Sequence, residues 1–262
     1  MEYTSRLLDT TPVILEAKQI RKAFGAVQAL KPAHLVVERG TTLAIVGESG
    51  SGKSTLARLL VRLTDCSGGK ALVNGDDLAK LSGGRLRRGR RVIQMVFQDP
   101  FGSLNPRRNI GPMIARAAEL GGDGRGAATA RAHDLLNRLG LGTDAYHRSP
   151  SAFSGGQRQR IGIARALALR PEVLIADESV SALDMPVQAE ILALLRTLQA
   201  ELGLTLVFIT HDLRAAAQIS DRIAVMRAGE IVEVGETAQL LGAPCHPYTQ
   251  ALLAAAPGRG VI

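Results

Sequence analysis

The stretch GESGSGKST, residues 47–55, places a lysine and several hydroxyl side chains within a run of glycines. It fits the pattern G-x-x-x-x-G-K-[ST] through Gly47, Gly52, Lys53 and Ser54. Glycines let successive backbone N–H groups turn inward and bind phosphate oxygens. Lys53 is expected to reach the β- and γ-phosphates of a nucleotide, and the Ser54 hydroxyl is expected to bind Mg²⁺. The apolar run TLAIV before the loop and the helical pattern after it supply the strand and helix that this motif requires.

Two acids and a histidine follow buried-strand patterns farther along the chain. VLIADE, residues 173–178, ends in Asp177, which suits a Mg²⁺ ligand, and in Glu178, which could orient or deprotonate an attacking water. His211 follows the run LVFIT and could sense a γ-phosphate or polarise the same water. Taken singly, each has an alternative: a surface acidic pair closing a strand, or a structural histidine. A plain glycine turn is the alternative for the loop.

Strand-like and helix-like segments alternate along most of the chain. Runs rich in Val, Ile and Leu predict strands at residues 35–38, 42–47, 71–75, 92–98, 173–177, 204–210 and 222–226. Helical patterns lie at residues 54–63, 187–202 and 213–219. This alternation predicts an α/β fold of parallel βαβ units, with helices on both faces of a sheet.

The segment from about residue 99 to residue 171 differs from its surroundings. It is rich in Ala, Arg and Gly and carries no strong strand signal. We predict a mostly helical lobe inserted into the sheet domain, with a surface loop at residues 121–128. After about Gly235 the chain is expected to form short helix and loop.

The chain is basic and poor in aromatic residues. Its formal net charge is +8, and the densest basic cluster is GRLRRGRR at residues 84–91. Three interpretations of this cluster stay open: a solvated face, contact with an anionic cytoplasmic membrane surface, and nucleic-acid binding. Aromatic residues make up only 3% of the chain and Trp is absent, which argues against stacking platforms for single strands. We therefore expect no nucleic-acid partner.

Composition also bears on compartment and on metal sites. No apolar run approaches the ~20 residues that a membrane-spanning helix needs. The start, MEYTSRLLDTTPV, lacks a basic region followed by an apolar stretch, so no signal peptide is predicted. The two cysteines, Cys66 and Cys245, form no CxxC pair, and we expect free thiols without a metal or iron–sulfur site. These features predict a cytosolic protein that can reach a membrane through a partner.

A second phosphate-binding motif precedes another predicted helix. FSGGQRQR, residues 153–160, resembles the LSGGQ signature of ATP-binding cassette (ABC) proteins, with Phe153 in place of Leu. Ser154 and the backbone of Gly155 and Gly156 would lie at the positive end of the helix. One nucleotide cannot use both motifs of one chain. The resemblance therefore implies a head-to-tail dimer with two ATP molecules. Each ATP lies between the phosphate loop (the Walker loop, residues 47–55) of one subunit and the signature of the other.

The other motifs of this family occur in the family's order. Phe24, in RKAFGA, is similar to the aromatic residue that stacks on adenine, although core packing is an alternative. Gln98 resembles the Q-loop glutamine, and His211 resembles the H-switch. SALD, residues 181–184, resembles the D-loop, although Asp184 is also suited to cap the helix that follows it.

The resemblance sorts the candidate residues by role. The catalytic residues implied are Glu178, His211, Gln98 and Lys53, and the implied Mg²⁺ ligands are Ser54, Gln98 and Asp177. The residues implied to contact ATP are Phe24, Gly47, Glu48, Ser49, Gly50, Ser51, Gly52, Lys53, Ser54, Thr55, Ser154, Gly155, Gly156, Gln157 and Asp184.

The fold that the family implies is a P-loop NTPase cassette. It has a mainly parallel core sheet, an N-terminal antiparallel β subdomain and an inserted α-helical lobe. The ABC ATPase domain is expected at residues 13–240, with the lobe at about residues 99–171. A short C-terminal tail is expected at residues 241–262.

Two further stretches narrow the branch of the family. VFQDPFGSLNPR, residues 96–107, and HPYTQALL, residues 246–253, resemble the ATPases of oligopeptide, dipeptide and nickel importers. A generic terminal helix is the alternative for HPYTQALL. One departure is Ser179, where the family usually has a proline after the Walker B glutamate.

The resemblance implies an ATP-hydrolysing subunit of a bacterial importer, peripheral to the cytoplasmic face of the inner membrane. The implied partners are two transmembrane permease subunits, a second ABC ATPase that is a paralogue, and an extracytoplasmic substrate-binding protein. Peptides are the first expected cargo, nickel or a metal chelate the second, and opines or similar solutes the third.

Three other classes of ABC protein are alternatives. DNA-repair and chromosome ATPases carry long coiled coils between the Q-loop and the signature. In this sequence Gln98 and Ser154 are only 56 positions apart, which leaves no room for such a coiled coil. Translation-type proteins usually carry two cassettes per chain, and this chain carries one. Exporters and lipid-extraction complexes stay open because their core ATPase is similar.

Overall fold

The computed structural model describes residues 12–98, 102, 104–178 and 184–255. The larger of its two sheets has the strand order β10-β9-β3-β8-β7-β6. The bounds of these strands are Thr42–Val46 (β3), Ile93–Val96 (β6), Val173–Asp177 (β7), Thr205–Thr210 (β8), Arg222–Arg227 (β9) and Glu230–Glu236 (β10). All pairs in this sheet are parallel except β10 with β9. The predicted mainly parallel core sheet is confirmed.

The central strands are apolar except at their ends because both faces of the large sheet are covered. Every residue of β3 and of β7 is buried. Along β3, Ala44 and Val46 belong to the apolar cluster that includes the helical lobe, whereas Leu43 and Ile45 belong to the cluster that includes the smaller sheet. Successive side chains of a strand point to opposite faces, so one continuous apolar run serves two cores.

The smaller sheet is antiparallel, with the strand order β2-β1-β4-β5. Its strands span Val13–Phe24 (β1), Val27–Glu38 (β2), Gly68–Val73 (β4) and Asp76–Asp77 (β5). The N-terminal antiparallel subdomain is thus confirmed, although strand patterns predicted only the end of β2 and part of β4. The alternation along β1 is interrupted near Gln19, which has a φ of +49°, and the pairing register shifts between Ala17 and Ile20. A period-2 pattern is hard to recognise across such an irregularity.

Nine helices lie in the described part of the chain, apart from short 3₁₀ turns. They span Lys53–Leu60 (α1), Gly83–Val92 (α2), Ile110–Gly121 (α3), Arg125–Arg138 (α4), Gly155–Ala168 (α5), Met185–Leu202 (α6), Leu213–Ile219 (α7), Thr237–Gly242 (α8) and Pro247–Ala255 (α9). Helices α3, α4 and α5 form the inserted helical lobe, as predicted.

The predicted surface loop at residues 121–128 is wrong in its second half. Helix α4 already begins at Arg125, and residues 122–124 form the connection. Ala128, Ala132, Leu135 and Leu136 of α4 are buried at helical spacing, so packing of this face against the lobe favours the helix despite the glycines before it.

Element boundaries differ from the sequence pattern at three other places. The strand predicted at residues 92–98 is confined to β6, because Val92 is the last residue of α2. Helix α1 ends at Leu60, ahead of a left-handed Arg62 with a φ of +54°. The strand β10 was not predicted and carries the sheet to Glu236, after which α8 and α9 follow. Among the described residues, no helix has both the length and the apolar character needed to cross a bilayer.

Candidate functional site

The phosphate loop joins β3 to α1, and two of its glycines are required by close contacts. A Cβ atom at Gly47 would lie 2.2 Å from the carbonyl oxygen of Met226. A Cβ atom at Gly52 would lie 2.9 Å from the carbonyl oxygen of Ala29, and Gly52 has a φ of +102°. The loop therefore takes a path that only glycine permits at these positions. It ends at the N-terminus of α1, where the helix dipole favours phosphate.

Lys53 is a buried ammonium group aimed into the loop. Its Nζ donates hydrogen bonds of 2.8 Å to the carbonyl oxygens of Gly47 and Glu48 and lies 3.7 Å from Oε1 of Glu178. Burial lowers the pKa of Lys53, and the carboxylates of Glu178 and Asp177 oppose that shift. A phosphate in the loop would add negative charge beside this desolvated cation, so the residue fits a nucleotide.

The Ser54 hydroxyl donates a 3.0 Å hydrogen bond to Oδ1 of Asp177, which joins the loop to the end of β7. Burial raises the pKa of Asp177, while the hydrogen bond from Ser54 lowers it. A hydroxyl and a buried carboxylate oxygen side by side are a donor set that Mg²⁺ accepts. The buried Ser51 Oγ has no hydrogen-bond partner within the described residues, and a phosphate oxygen could supply one. These residues fit a magnesium nucleotide.

Glu178 directly follows β7, at the carboxyl edge of the large sheet. Its N–H donates a 2.9 Å hydrogen bond to the carbonyl oxygen of Ile209 on β8, and its φ is +43°. His211 follows the neighbouring strand β8 and is exposed. Since β7 and β8 are parallel and adjacent, both side chains belong to the same carboxyl edge of the sheet.

A cleft of about 550 Å³ lies at this edge of the sheet, and the described residues that line it do not include His211. It is lined by the loop and its neighbours Ser49, Gly50, Gly52, Lys53, Ser54 and Thr55, together with Gln98 and Glu178. Gln98 lies two residues beyond the end of β6 and is exposed. The structure thus brings together the loop, the predicted base and the Q-loop glutamine. Gly47, Glu48 and Ser51 belong to the same loop but do not line the cleft. Gly47 and Glu48 accept hydrogen bonds from Lys53, and Asp177 accepts one from Ser54.

The signature residues occupy the start of α5, away from this cleft. Ser154 caps the helix: its Oγ accepts from the N–H of Gln157 at 3.3 Å, and the Gln157 Oε1 accepts from the N–H of Ser154 at 3.0 Å. A Cβ at Gly156 would lie 2.5 Å from Cγ1 of Val187, so this glycine allows α5 and α6 to pack closely. Among the described residues that line the cleft, none comes from residues 153–160.

For Phe24 and Asp184, the sequence left a structural role open beside the nucleotide-binding role. Phe24 ends β1 with 53% of its surface exposed, and Lys22 Nζ lies 4.9 Å from its ring centroid. This exposure argues against the core-packing alternative, while adenine stacking stays a prediction. Asp184 caps α6 by accepting from the N–H of Val187 at 3.3 Å, which is the alternative role considered for it. The rest of the D-loop stretch, residues 181–183, lies outside the described residues, as does Ser179.

Sequence reasoning missed one part of the lining of the cleft. Residues 27–29 of β2 and the turn between β9 and β10, Ala228 and Gly229, line it. The N–H of Gly229 donates a 2.9 Å hydrogen bond to the carbonyl oxygen of Ser51 in the loop. These residues include no charged or nucleophilic side chain, so no chemical pattern in the sequence marks them.

Comparison with known families assigns most of the chain. The family described as "ABC transporter" matches residues 30–181. The family described as "Oligopeptide/dipeptide transporter, C-terminal region" matches residues 232–260, which include the HPYTQALL stretch. Both matches agree with the motifs from which the resemblance was inferred.

Curated relatives cover nearly all of the chain. It is 50% identical over 93% of its length to the probable peptide ABC transporter ATP-binding protein y4tS of Sinorhizobium fredii, of which it covers 69%. It is 44% identical over 94% of its length to the oligopeptide transport ATP-binding protein OppF of Bacillus subtilis, of which it covers 83%. It is also 50% identical over 83% of its length to the glutathione import ATP-binding protein GsiA of Salmonella paratyphi A, of which it covers 35%.

Solved structures share the fold. The chain is similar to cbiO1 of Clostridium perfringens, part of the ABC transporter complex cbiONQ, with a TM-score of 0.80, 28% identity and coverage of 88% of this chain and 91% of that one. It is also similar to the ATP-binding cassette MJ0796, a dimer in a post-hydrolysis state bound to ADP and phosphate, with a TM-score of 0.77, 30% identity and coverage of 86% and 99%. With the phosphate loop, the acidic strand end and the signature helix in place, the chain belongs to the ABC transporter family and is an ATP-binding ATPase.

Proposed function

We propose that this chain powers a bacterial ABC importer of peptides by binding and hydrolysing ATP at its cytoplasmic face. The observation that carries the proposal is the combination of a nucleotide cleft with a C-terminal segment of the oligopeptide/dipeptide type at residues 232–260. Relatives named for peptide transport, oligopeptide transport and glutathione import support peptides over nickel.

The residues of the cleft divide the work of hydrolysis among them. The loop N–H groups and Lys53 bind the β- and γ-phosphates, and Ser54, Asp177 and Gln98 hold Mg²⁺. When bound, Mg²⁺ neutralises charge on the phosphates. Glu178 orients and polarises the attacking water, because it directly follows β7, whose last residue Asp177 accepts a hydrogen bond from Ser54 of the loop, and because it lines the cleft. His211, at the end of the adjacent strand, supports that water.

A head-to-tail dimer completes the site. The signature residues cap α5 outside the cleft of their own chain, so they are available to a nucleotide bound by a partner cassette. Positive groups placed on a transferring phosphoryl group in trans are worth about 10³–10⁵ in rate in related P-loop enzymes. Closure of the dimer is therefore suited to control hydrolysis, with Asp184 linking the two sites. We expect the partner to be a paralogue.

The remaining partners lie at the membrane. Gln98 and the helical lobe pass opening and closing to a cytoplasmic helix of a permease, of which the importer has two. An extracytoplasmic binding protein delivers the cargo. Helix α2 buries none of its residues and carries five arginines and no acid, so its surface is compatible with the anionic inner face of a membrane.

The test is affinity purification of the full chain from its host in mild detergent, followed by mass spectrometry of the proteins that accompany it. We expect two multi-span permeases and a second cassette ATPase, with an extracytoplasmic binding protein whose ligand is a peptide. A chain in which Lys53→Ala removes the phosphate contact controls for partners that depend on nucleotide. Recovery of ribosomes or nucleic acid without any membrane protein would overturn the transport proposal.

A further inference from the structure

The C-terminal helix α9 makes a direct polar contact with the nucleotide loop. Tyr248 has only 7% of its surface exposed, and its hydroxyl accepts a 3.3 Å hydrogen bond from the N–H of Glu48. The guanidinium of Arg227, at the end of β9, lies 4.9 Å from the centroid of the tyrosine ring. A residue far along the chain therefore touches the loop that holds phosphate.

The contact acts on the peptide group to which Lys53 is bound. The N–H of Glu48 and the carbonyl of Gly47 belong to one peptide unit, which is planar and rotates as a body. Tyr248 holds the N–H end of this unit, and Lys53 Nζ donates to its carbonyl oxygen at 2.8 Å. A rotation of the peptide would break both bonds together. The tyrosine hydroxyl and the lysine ammonium are thus linked through a single rigid group.

The tyrosine is itself fixed by the segment that precedes it. The carboxylate of Glu233 on β10 accepts hydrogen bonds from the N–H groups of Cys245 at 2.8 Å and His246 at 3.1 Å. The ring Nδ1 of His246 then accepts from the N–H of Tyr248 at 3.1 Å, in the first turn of α9. These bonds define where α9 starts and hence where the phenol points.

We propose that Tyr248 is a positioning residue for the nucleotide, which keeps the Gly47–Glu48 peptide oriented so that Lys53 stays aimed into the phosphate loop. The C-terminal segment then sets the affinity of the cleft for ATP without touching the nucleotide. By thermodynamic linkage, bound ATP stabilises the docked position of α9 to the same extent. The proposal rests on ATP binding at this loop and not on import or on the identity of the cargo.

The first test compares Tyr248→Phe with the wild-type chain by equilibrium binding of Mg²⁺-ATP, measured as displacement of a fluorescent ATP analogue from the purified full chain. The phenylalanine keeps the ring and removes only the hydroxyl. We expect affinity to fall about three- to tenfold, the range that the loss of one hydrogen bond gives. The matched control is Tyr146→Phe. That tyrosine stacks on His133 in the lobe, its hydroxyl makes no hydrogen bond with another described residue, and the variant should bind like the wild type.

Two further readouts separate positioning from general stability. In the assembled transporter, Tyr248→Phe should raise KM for ATP by a similar factor and leave kcat unchanged at saturating ATP. Hydrogen exchange of the α9 amides should slow when ATP binds to the wild-type chain and should respond less in Tyr248→Phe. If that variant does not fold, Glu233→Gln weakens the anchor of the same segment and should weaken ATP binding in the same direction.

Several results would overturn the proposal. The proposal is wrong if Tyr248→Phe binds ATP as tightly as the wild type, if it loses no more affinity than Tyr146→Phe, or if its kcat falls at unchanged KM. Exchange in α9 that does not respond to ATP would also overturn it. Binding to the isolated chain is measured without permeases, so failure of the import proposal would leave these results interpretable.

Discussion

Glu178 adopts a left-handed backbone conformation, with a φ of +43°, that costs a non-glycine residue about 1–3 kcal/mol. The strain is held by the hydrogen bond from its N–H to Ile209 and by the position of its carboxylate 3.7 Å from the Lys53 ammonium. Strained residues of this kind concentrate at sites where a side chain must be aimed. Here the turn after β7 directs the carboxylate into the cleft.

The substitution Glu178→Gln tests the assignment of this carboxylate. The amide keeps the size of the side chain but cannot accept a proton, so we expect ATP binding to persist and kcat to fall by about 10²–10⁴-fold. Single-turnover hydrolysis by the assembled transporter measures the loss. Glu172→Gln is the matched control, since it removes an exposed carboxylate beside the other end of the same strand and should leave kcat unchanged. Normal turnover by Glu178→Gln would mean that another group is the base.

At the scale of the elements, β10 and α9 are joined by the Glu233 carboxylate. Burial tends to raise the pKa of Glu233, but the hydrogen bonds that it accepts, including those from the N–H groups of Cys245 and His246, hold it below its ordinary value. A carboxylate with a lowered pKa stabilises the folded state above its unfolded pKa of about 4.5. That contribution is lost as the pH falls through the folded value.

The pH dependence of thermal unfolding tests this junction. Wild-type protein should have a higher Tm than Glu233→Gln at pH 6–7, and the difference should shrink toward zero as the pH falls below about 4.5. The neutral glutamine removes the titrating group, so the comparison isolates this carboxylate from the others. Glu201→Gln, an exposed carboxylate on α6, should show no such difference. A gap between the Tm values that is independent of pH would contradict the assignment.

The elements also show which parts of the fold the sequence could predict. The sequence predicts strands buried on both faces, such as β7 and β8, because almost every residue of such a strand must be apolar. It does not predict β1, because the irregularity at Gln19 breaks its alternation. In the site, Lys53 follows from local spacing, whereas the contact of Tyr248 with the loop joins residues 200 positions apart and leaves no local pattern. Residues in local motifs can therefore be predicted from the sequence, whereas contacts between distant segments cannot.

At the scale of the whole molecule, the chain keeps apart the two motifs that we propose bind phosphate. The loop at the start of α1 lines the cleft, whereas Ser154 caps α5 in the helical lobe. A monomer should therefore bind ATP without its signature, and hydrolysis should need a second cassette. The dimeric cassette MJ0796 with ADP and phosphate is a precedent within the fold for such an assembly.

Ser154→Asp tests whether the signature acts in trans. Aspartate caps a helix as well as serine does, so α5 should stay folded, but its carboxylate would repel the γ-phosphate of a nucleotide bound by the partner. We expect the isolated chain to bind ATP with unchanged affinity. In contrast, ATP-dependent association with the co-purifying cassette, followed by light scattering in the Glu178→Gln background, should be lost.

Ser82→Asp is the matched control, because Ser82 occupies the same capping position on α2. It should change neither ATP binding nor association. The two readouts are independent because they report on different motifs. ATP affinity reports on the phosphate loop of the chain itself, and association reports on the signature that contacts the partner's nucleotide. If Ser154→Asp weakened ATP binding by the isolated chain as much as it weakened association, the signature would act within its own cleft, and the head-to-tail arrangement would be wrong.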